Sequence, residues 1–447
     1  LSVNEEHYMA LAKQFFNPEW IANSFFLNEF ASTRLLYQVI IGWPLQFFSY
    51  ETVAAVGKFL LAAQTAWPLS RQYRQLGLSN IDVLLHLPLL FFVRQAFIAD
   101  EFILLTLEPK GFGYAFVFFA LYYMLLDKHY TAIIFAVIAT YFHVLVGGWF
   151  IVYYGIYHLV SARSLKKSLL LGLFCAAFII PFFIYIPSSV TENFSRPDSP
   201  VNTDWIFTYV KQPFHTALLA SFSYFVKDHL QGTLAFAGFF LLCVFLFSRY
   251  RDELNLKINR MNMLIFAGVF TSLLLSWFDK NGAFVKYFPF RINSLFTFLV
   301  FLQAVMLVRH FLIKKEALVY LHFGVLVLFL FTSFPKAAYG FLIHDGYRHL
   351  TGKAVDPSFA EITTYIRDNT AREDVVMPLS KFSVPGAYAT FESDPSLMRR
   401  MERDNFWSFR SAPNSPGTDA MYQWYLRLQA KESAVEDYRN LCEIRKE

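Results

Sequence analysis

The stretch HYTAIIFAVIATYFHVLVGGWFIVYYGIYHLV, residues 129–160, contains no Asp, Glu, Lys or Arg. It holds two apolar runs, 130–143 and 145–160, and His143 closes the first of them. Long apolar runs without charged side chains are typical of helices that cross a lipid bilayer. The stretch therefore predicts two consecutive membrane helices, and the same criterion can be applied to the rest of the chain.

The composition of the whole chain agrees with a membrane protein. Of its 447 residues, 56% are hydrophobic and only 16% are charged, and the mean hydropathy is +0.38. Soluble domains carry about 25% charged residues. The formal net charge of +5 does not indicate nucleic-acid binding, because the basic residues lie in short loops between apolar runs. We therefore expect the lipid bilayer as a partner and no nucleic acid.

The fold class predicted from the apolar runs is an all-α polytopic membrane protein with about ten spans. They cover residues 51–69, 81–99, 112–126, 130–143, 145–160, 168–187, 232–248, 261–278, 291–309 and 318–334. The run 35–50 is short and interrupted by Gly42 and Pro44, so we expect it to lie in the membrane interface.

Three parts of the chain follow from this division. Residues 1–50 are predicted to form juxtamembrane and interfacial helices on the outer side. Residues 51–334 form the transmembrane bundle, with a long outer loop at 188–231. After Pro335 polar residues dominate, and residues 335–447 are predicted to form a small extracytoplasmic domain that is α/β or helical.

The positions of the basic residues predict the orientation. Lys and Arg side chains occur in alternate loops, which places those loops in the cytoplasm. These residues are Arg71, Arg74, Lys128, Arg163, Lys166, Lys167, Arg249, Arg251, Lys257, Arg260, Arg309, Lys314 and Lys315. We expect a cytoplasmic (inner) membrane protein, and a complete protein with one further span before Leu1.

Ionisable side chains near the opposite, outer ends of the spans are the candidate site. They are Glu5, Glu6, Asp100, Glu101, Glu108, Lys110, His143, Lys280, Arg291 and Arg348. Each has a structural alternative: a cation can extend to the lipid headgroups, and an acid can cap a helix N-terminus. Their concentration on one side favours a functional site, since ionisable residues in membrane segments are costly.

Acids and cations over an apolar groove suit transfer from a lipid-borne phosphate. The leaving phosphate needs cationic donors, and Arg provides the best geometry. The acceptor hydroxyl needs a general base, and a carboxylate is the simplest choice. Grouped acids also allow a divalent cation, Mg²⁺ or Mn²⁺, although no ligand spacing in the sequence demands one.

Several segments resemble the GT-C superfamily of integral-membrane glycosyltransferases, in particular a poorly characterised bacterial GT-C-like group. NEEHYMALAKQFF (4–16) followed by LLYQVIIGWPLQFFSY (35–50) is similar to the acidic juxtamembrane helix and second interfacial helix of that family. DEFILLTLEPKGFGYAF (100–116) looks like its second outer acidic loop. EITTYIRDNTAREDVVMPL (361–379) and YQWYLRL (422–428) look like tail segments of the bacterial group.

The resemblance implies roles for these residues. Glu5 or Glu6 takes the position of the family's catalytic acid, although that signature is usually Asp-centred and here reads Asn4, Glu5, Glu6. The supporting acids are Asp100, Glu101 and Glu108. The predicted topology, more than the family, assigns phosphate binding to Lys110, His143, Lys280, Arg291 and Arg348.

The function expected on these grounds is sugar transfer on the outer face of the cytoplasmic membrane. The donor is a polyprenyl-phosphate-linked sugar, and the acceptor is a glycan, lipid or protein, as in cell-envelope polysaccharide biosynthesis. One alternative is a polysaccharide polymerase or ligase that joins lipid-linked repeats. The others are a transporter and a non-catalytic envelope-complex protein. A transporter predicts charges near the bilayer midplane and paired broken spans, which the sequence does not display.

Overall fold

The computed structural model describes most of the chain between residues 3 and 444. The described residues are 3–22, 24–27, 34–88, 90, 95–99, 101, 103, 106–162, 164–190, 200–219, 222–247, 252–311, 357–377, 396–407 and 418–444. These residues are mostly helical, and the strands among them are two residues long. The expected all-α class is therefore confirmed for the described part.

The helices follow one another with short connections. They are α1 Val3–Phe16, α2 Leu35–Gly42, α3 Tyr50–Gln75, α4 Asn80–Pro88, α5 Pro109–Leu125, α6 His129–Phe142, α7 Val144–Ala162, α8 Leu165–Val190, α9 Thr203–Trp205, α10 Pro213–Thr216, α11 Phe222–Phe225, α12 Gln231–Phe247, α13 Glu253–Phe278, α14 Asn293–Phe311, α15 Pro357–Asn369, α16 Leu397–Met401 and α17 Asp419–Ile444. Two π-helical turns, Ile206–Lys211 and Val226–Leu230, and two 3₁₀ turns, Pro44–Gln46 and Val285–Tyr287, lie between them.

Local sequence explains where several helices begin and end. Ser49 caps α3 by accepting a hydrogen bond from the Thr52 backbone N–H (3.2 Å), and Asp252 caps α13 in the same way through Asn255 (3.3 Å). After α5, Asp127 adopts a left-handed conformation with φ 56°, which ends that helix. These signals fix the ends of helices whose centres are nearly all apolar.

Four of the described helices are long and apolar enough to cross a membrane. They are Val144–Ser161, Leu165–Ile184, Glu253–Phe278 and Asn293–His310. Apolar side chains on these helices point outward: Leu173 is 68% exposed and Phe278 is 77% exposed. Exposed apolar faces of this kind are suited to lipid rather than water. The chain is therefore a membrane protein, whereas the count of ten spans stays a prediction, and span 318–334 lies outside the described residues.

Helix α14 has the most enclosed position in the bundle. The side chains of Phe296, Phe298 and Leu295 are completely buried. Phe298 packs on Phe118 of α5, with ring centroids 4.7 Å apart. Helices α5, α6 and α7 pack closely on each other, so the core of the bundle is built mainly from these helices and α14.

The predicted span 81–99 extends too far, because residues 95–99 are not helical; helix α4 is described over Asn80–Pro88. Side chains bind the backbone of the unwound segment: Asn293 Nδ2 donates to the Ile98 carbonyl oxygen (2.7 Å), and His215 Nδ1 to that of Ala99 (2.6 Å). Non-helical backbone at membrane depth is tolerated where protein groups satisfy it. The missing helical turn thus creates a place where buried polar residues are needed.

Residues 35–50 form α2 and a 3₁₀ turn, as expected for a helix that does not span. Gly42 lies so close to α1 that an added Cβ atom would be 2.1 Å from the Ala12 carbonyl oxygen. The other face exposes Trp43, Phe47 and Phe48. Exposed aromatic side chains of this kind are typical of the membrane interface.

The described C-terminal segments form two further helices and a minimal sheet. β1 (Val375–Val376) pairs in parallel with β2 (Asp404–Asn405). Helix α17 buries Met421 and Trp424 against Ile206, Phe207 and Phe288 of the outer segments. The C-terminal part therefore packs directly onto the loops beside the candidate site.

Candidate functional site

A group of ionisable side chains, here named the Glu101 cluster, lies where six parts of the chain meet. It comprises Glu5, Lys58, Glu101, Glu108, Lys110, His215 and Arg291. These come from α1, α3, the segment before α5, the start of α5, α10 and the turn before α14. Because the non-helical residues 95–99 lead into Glu101, the interruption of the predicted span 81–99 delivers this carboxylate to the cluster.

Glu101 is the centre of the cluster. Its carboxylate oxygens lie 2.5 Å from Arg291 Nη1, 3.3 Å from Lys110 Nζ and 3.4 Å from His215 Nδ1, and the side chain is 2% exposed. Burial alone would raise the pKa of Glu101, but the charges of Arg291, Lys110 and His215 outweigh it and hold the pKa at about 2. Glu101 is therefore a fixed carboxylate that orients the cations around it.

Glu5 and Glu108 lie on the α1 side of the cluster. Glu5 is fully buried, accepts the Leu107 backbone N–H (3.0 Å) and pairs with Lys58 Nζ (2.9 Å). Glu108 accepts hydrogen bonds from Thr106 Oγ1 (3.0 Å) and Asn4 Nδ2 (3.2 Å), and Lys110 Nζ lies 3.8 Å from it. Through these bonds the first turn of α1 holds the segment before α5, which carries Glu101 and Glu108.

His215 supplies an imidazole beside Glu101. Burial lowers its pKa, although the charge of Glu101 acts in the opposite direction. Nδ1 carries the proton, because it donates to the Ala99 carbonyl oxygen, and this leaves the lone pair on Nε2. The ring is positioned either to accept a proton or, once protonated, to donate to an anion.

Arg291 has an N–H group that is available to donate a hydrogen bond to a ligand. Its Nε is buried and has no acceptor among the described residues, while Nη1 binds Glu101. The guanidinium lies 5.0 Å from the ring centroid of Phe288, which packs against α17, and Tyr114 donates to the Arg291 carbonyl oxygen (3.0 Å). The planar group is thus held on one side by protein and keeps one further N–H for a ligand.

Another predicted residue, His143, packs beside helix α5. It ends α6, is 7% exposed, and its Nδ1 accepts from the Val146 backbone N–H (3.3 Å). Its Cβ is 3.3 Å from the position that a Cβ on Gly113 would take, so it packs against α5 one turn after Lys110. These contacts match the packing role that the sequence left open.

Glu6 is separated from the cluster by its partner. Both carboxylate oxygens bind Arg399, at 2.8 Å from Nε and 2.6 Å from Nη2, in a fork-to-fork pair. The Arg399 guanidinium also lies 4.8 Å from the Tyr50 ring centroid and 3.7 Å from Glu51. Glu6 therefore fixes the C-terminal segment to α1, while its neighbour Glu5 points to the cluster.

Three predicted site residues are not brought to this place by the described structure. Lys280 is exposed, and its Nζ lies over the Trp277 ring (5.6 Å), without an ion pair to the described acids. Asp100 and Arg348 lie outside the described residues.

Sequence reasoning did not single out His215, Arg399 or Lys58 as site residues. His215 stands in the long loop 188–231 and Arg399 nearly 400 residues after Glu6, so neither spacing could reveal the pairing. For Lys58 a signal existed, because a lysine inside an apolar run needs an acid at the same depth.

A metal site would need acids that are not already paired. Among the residues that the structure describes, no three His, Cys, Asp or Glu side chains are grouped to hold a metal ion. The acids of the Glu101 cluster bind Lys58, Lys110 and Arg291 instead. The donor set fits an anion better than a divalent cation.

Comparison with known proteins finds no family model, curated protein or solved structure that matches this chain. The resemblance to GT-C enzymes thus stays a prediction from the sequence motifs.

Proposed function

We propose that this protein is a GT-C-type membrane glycosyltransferase that uses a polyprenyl-phosphate-linked sugar donor. The sugar passes to a glycan, lipid or protein acceptor, and on the predicted orientation the reaction takes place on the outer face of the cytoplasmic membrane. A polymerase or ligase would use the same chemistry with a larger lipid-linked donor.

The observation that carries the proposal is the buried meeting of Arg291, Lys110 and His215 around Glu101. Departure of a sugar from a lipid phosphate leaves negative charge on the phosphate, and fixed cations in a water-poor site stabilise that charge. Glu101 holds two of these cations in place without being consumed as a base, since its pKa is about 2. The free Nε–H of Arg291 is the donor that we assign to the phosphate.

The acceptor hydroxyl must lose a proton in the same step. Glu5 or Glu6 is the base implied by the resemblance. Of the two, Glu5 contacts the cluster, whereas both oxygens of Glu6 bind Arg399. We therefore assign the base to Glu5 and a positioning role to Glu6, which joins α1 to the C-terminal segment. The divalent cation stays optional, and no step of this scheme depends on it.

The test is turnover of a radiolabelled polyprenyl-phosphate sugar by the purified protein, with lipid-linked oligosaccharides as a second set of donors. The double variant Glu5→Gln, Glu6→Gln should lose at least about 100-fold in rate, because a positioned general base contributes about 10²–10⁴-fold. The matched control is Glu51→Gln, since Glu51 is 56% exposed and lies 3.7 Å from Arg399. It should keep nearly full turnover.

Size-exclusion profiles and melting temperatures accompany both variants, so that a loss of rate is separated from a loss of fold. Unchanged turnover in a well-folded double variant would overturn the assignment of the base. Absence of donor consumption by the wild-type protein with every lipid-linked sugar tested would overturn the transferase.

A further inference from the structure

A polar cavity of about 200 Å³ lies at the end of α5 opposite the end that carries Lys110. We name it the His158 cavity. It is lined by Asp127, His129, Tyr157, His158, Ser161, Glu253, Leu256, Lys257 and Arg260. His129 begins α6 and His158 is in the last turns of α7, whereas His143 joins the opposite ends of these two helices. The 14 residues of α6 separate the two sites by about 20 Å.

The two acids of the His158 cavity share one lysine. Lys257 Nζ lies 2.6 Å from Asp127 Oδ2 and 3.2 Å from Glu253 Oε1, and it donates to the Leu125 carbonyl oxygen (3.3 Å). These three acceptors use the three N–H groups of the ammonium. Arg260, one turn later on α13, has no ion pair or hydrogen bond in the part of the chain that the structure describes. The two acids and two cations make the lining formally neutral, and its unpaired donor is the Arg260 guanidinium.

Two imidazoles line the cavity. His129 Nδ1 bonds to the Tyr154 hydroxyl (2.8 Å) and His158 Nδ1 to the Ser168 hydroxyl (3.0 Å). The rings meet edge to face with centroids 4.6 Å apart. The Tyr154 hydroxyl can donate to His129 Nδ1, so His129 Nε2 can carry a proton. Ser168 Oγ donates to the Ser164 carbonyl oxygen (3.3 Å), so His158 Nδ1 is the donor to Ser168 and orients the ring against His129.

The surroundings of the cavity are apolar. Leu256 belongs to its lining and is 39% exposed. Leu159, Val160 and Leu165, at the same end of α7 and the start of α8, are 50%, 62% and 65% exposed. A ligand that fills the polar interior and covers these side chains needs both an anionic group and hydrocarbon chains.

We propose that the His158 cavity binds the phosphate of an anionic phospholipid. Arg260 supplies a positive charge and a planar pair of N–H donors, and His129 Nε2 can supply a further donor. The acyl chains lie along the exposed apolar faces of α7 and α8. Basic pockets between membrane helices recognise anionic headgroups by the same principle. The site is independent of the proposed sugar transfer.

Native mass spectrometry of the full chain in detergent tests this site. Dioleoyl-phosphatidylglycerol is compared with dioleoyl-phosphatidylcholine, and inorganic phosphate is added in a separate series. We expect one phosphatidylglycerol to bind the wild-type protein more tightly than phosphatidylcholine. Arg260→Gln should weaken that binding about tenfold, which corresponds to about 1.4 kcal/mol for the loss of one charged contact.

The matched control is Lys166→Gln, which removes an exposed positive charge at the same end of the bundle but outside the cavity lining. It should change phosphatidylglycerol binding by less than twofold. A second variant, His129→Phe, keeps an aromatic ring, removes the imidazole donor and should also weaken binding.

Three results would overturn the proposal. The first is equal binding of the two lipids, and the second is an equal effect of Arg260→Gln and Lys166→Gln. The third is a wild-type protein stabilised by inorganic phosphate through Arg260 with no preference for phosphatidylglycerol. In the last case the occupant is a soluble phosphate and not a lipid.

Discussion

Charged side chains at the two ends of the α6–α7 helix pair differ in their burial and in their pairing. At the His143 end, the Glu101 cluster is buried, and its acids and cations are paired with each other. At the His158 end, the ion pair of Lys257 is open to solvent on its acidic side, with Asp127 58% and Glu253 79% exposed, and Arg260 is left over. Charged residues at the two ends thus have different consequences for stability and for ligands.

The difference follows from desolvation. A buried charge must be paired, because removing one partner leaves the other without water. An exposed pair contributes little, since water replaces the lost partner. Substitutions at the Glu101 end are therefore expected to destabilise the fold. The cations at this end are expected to keep fixed positions. The His158 end tolerates substitution and has an unpaired cation available for a ligand.

The largest effect is expected from Glu101→Gln. The variant leaves Arg291 and Lys110 buried without their shared partner, and the loss should be about 3–5 kcal/mol in the free energy of unfolding. SDS titration of the purified protein in mixed micelles measures this value.

Glu253→Gln is the matched control at the other end, because it also removes one carboxylate from a lysine pair. It should change the free energy of unfolding by less than about 1 kcal/mol. Similar values for the two variants would contradict the contrast between the two ends.

A smaller effect on the free energy of unfolding is expected when the pH is lowered. The pKa of Glu101 is about 2 in the fold and 4.5 for an ordinary Glu side chain, so its contribution is fully present above pH 4.5 and is lost as the pH falls toward 2. The stability difference between wild type and Glu101→Gln should shrink by about 2 kcal/mol between pH 5 and pH 3. A difference that stays constant with pH would show that Glu101 is not held ionised by its neighbours.

Much of the helical framework is predictable from the sequence. The runs 130–143 and 145–160 correspond to α6 and α7 within two residues at each end, because long apolar runs bounded by polar residues form helices in a bilayer. The failure at 81–99 has a physical reason. Residues 95–99 are unwound because two side chains distant in sequence, Asn293 and His215, donate hydrogen bonds to their backbone carbonyl oxygens. The apolar run itself gives no indication of these partners.

The candidate site is predictable in its members but not in its pairing. Depth along the helices identified Glu5, Glu101, Glu108, Lys110 and Arg291 as residues of one end, and the structure brings these five together. The hydrogen-bond partners could not be predicted, because they depend on the crossing of helices that are far apart in sequence. Glu5 and Glu6 show this most clearly, since two adjacent acids in one helical turn bind Lys58 and Arg399 respectively.

The central claim is that the acids and cations of the Glu101 end act as one unit, and a double-mutant cycle tests it most directly. The free energy of unfolding is measured for wild type, Glu101→Gln, Arg291→Gln and the double variant. We predict a coupling energy above about 1 kcal/mol, because residues in one buried ion-pair network are not additive. Additivity within about 0.3 kcal/mol would mean that Glu101 and Arg291 act separately, and it would contradict the account.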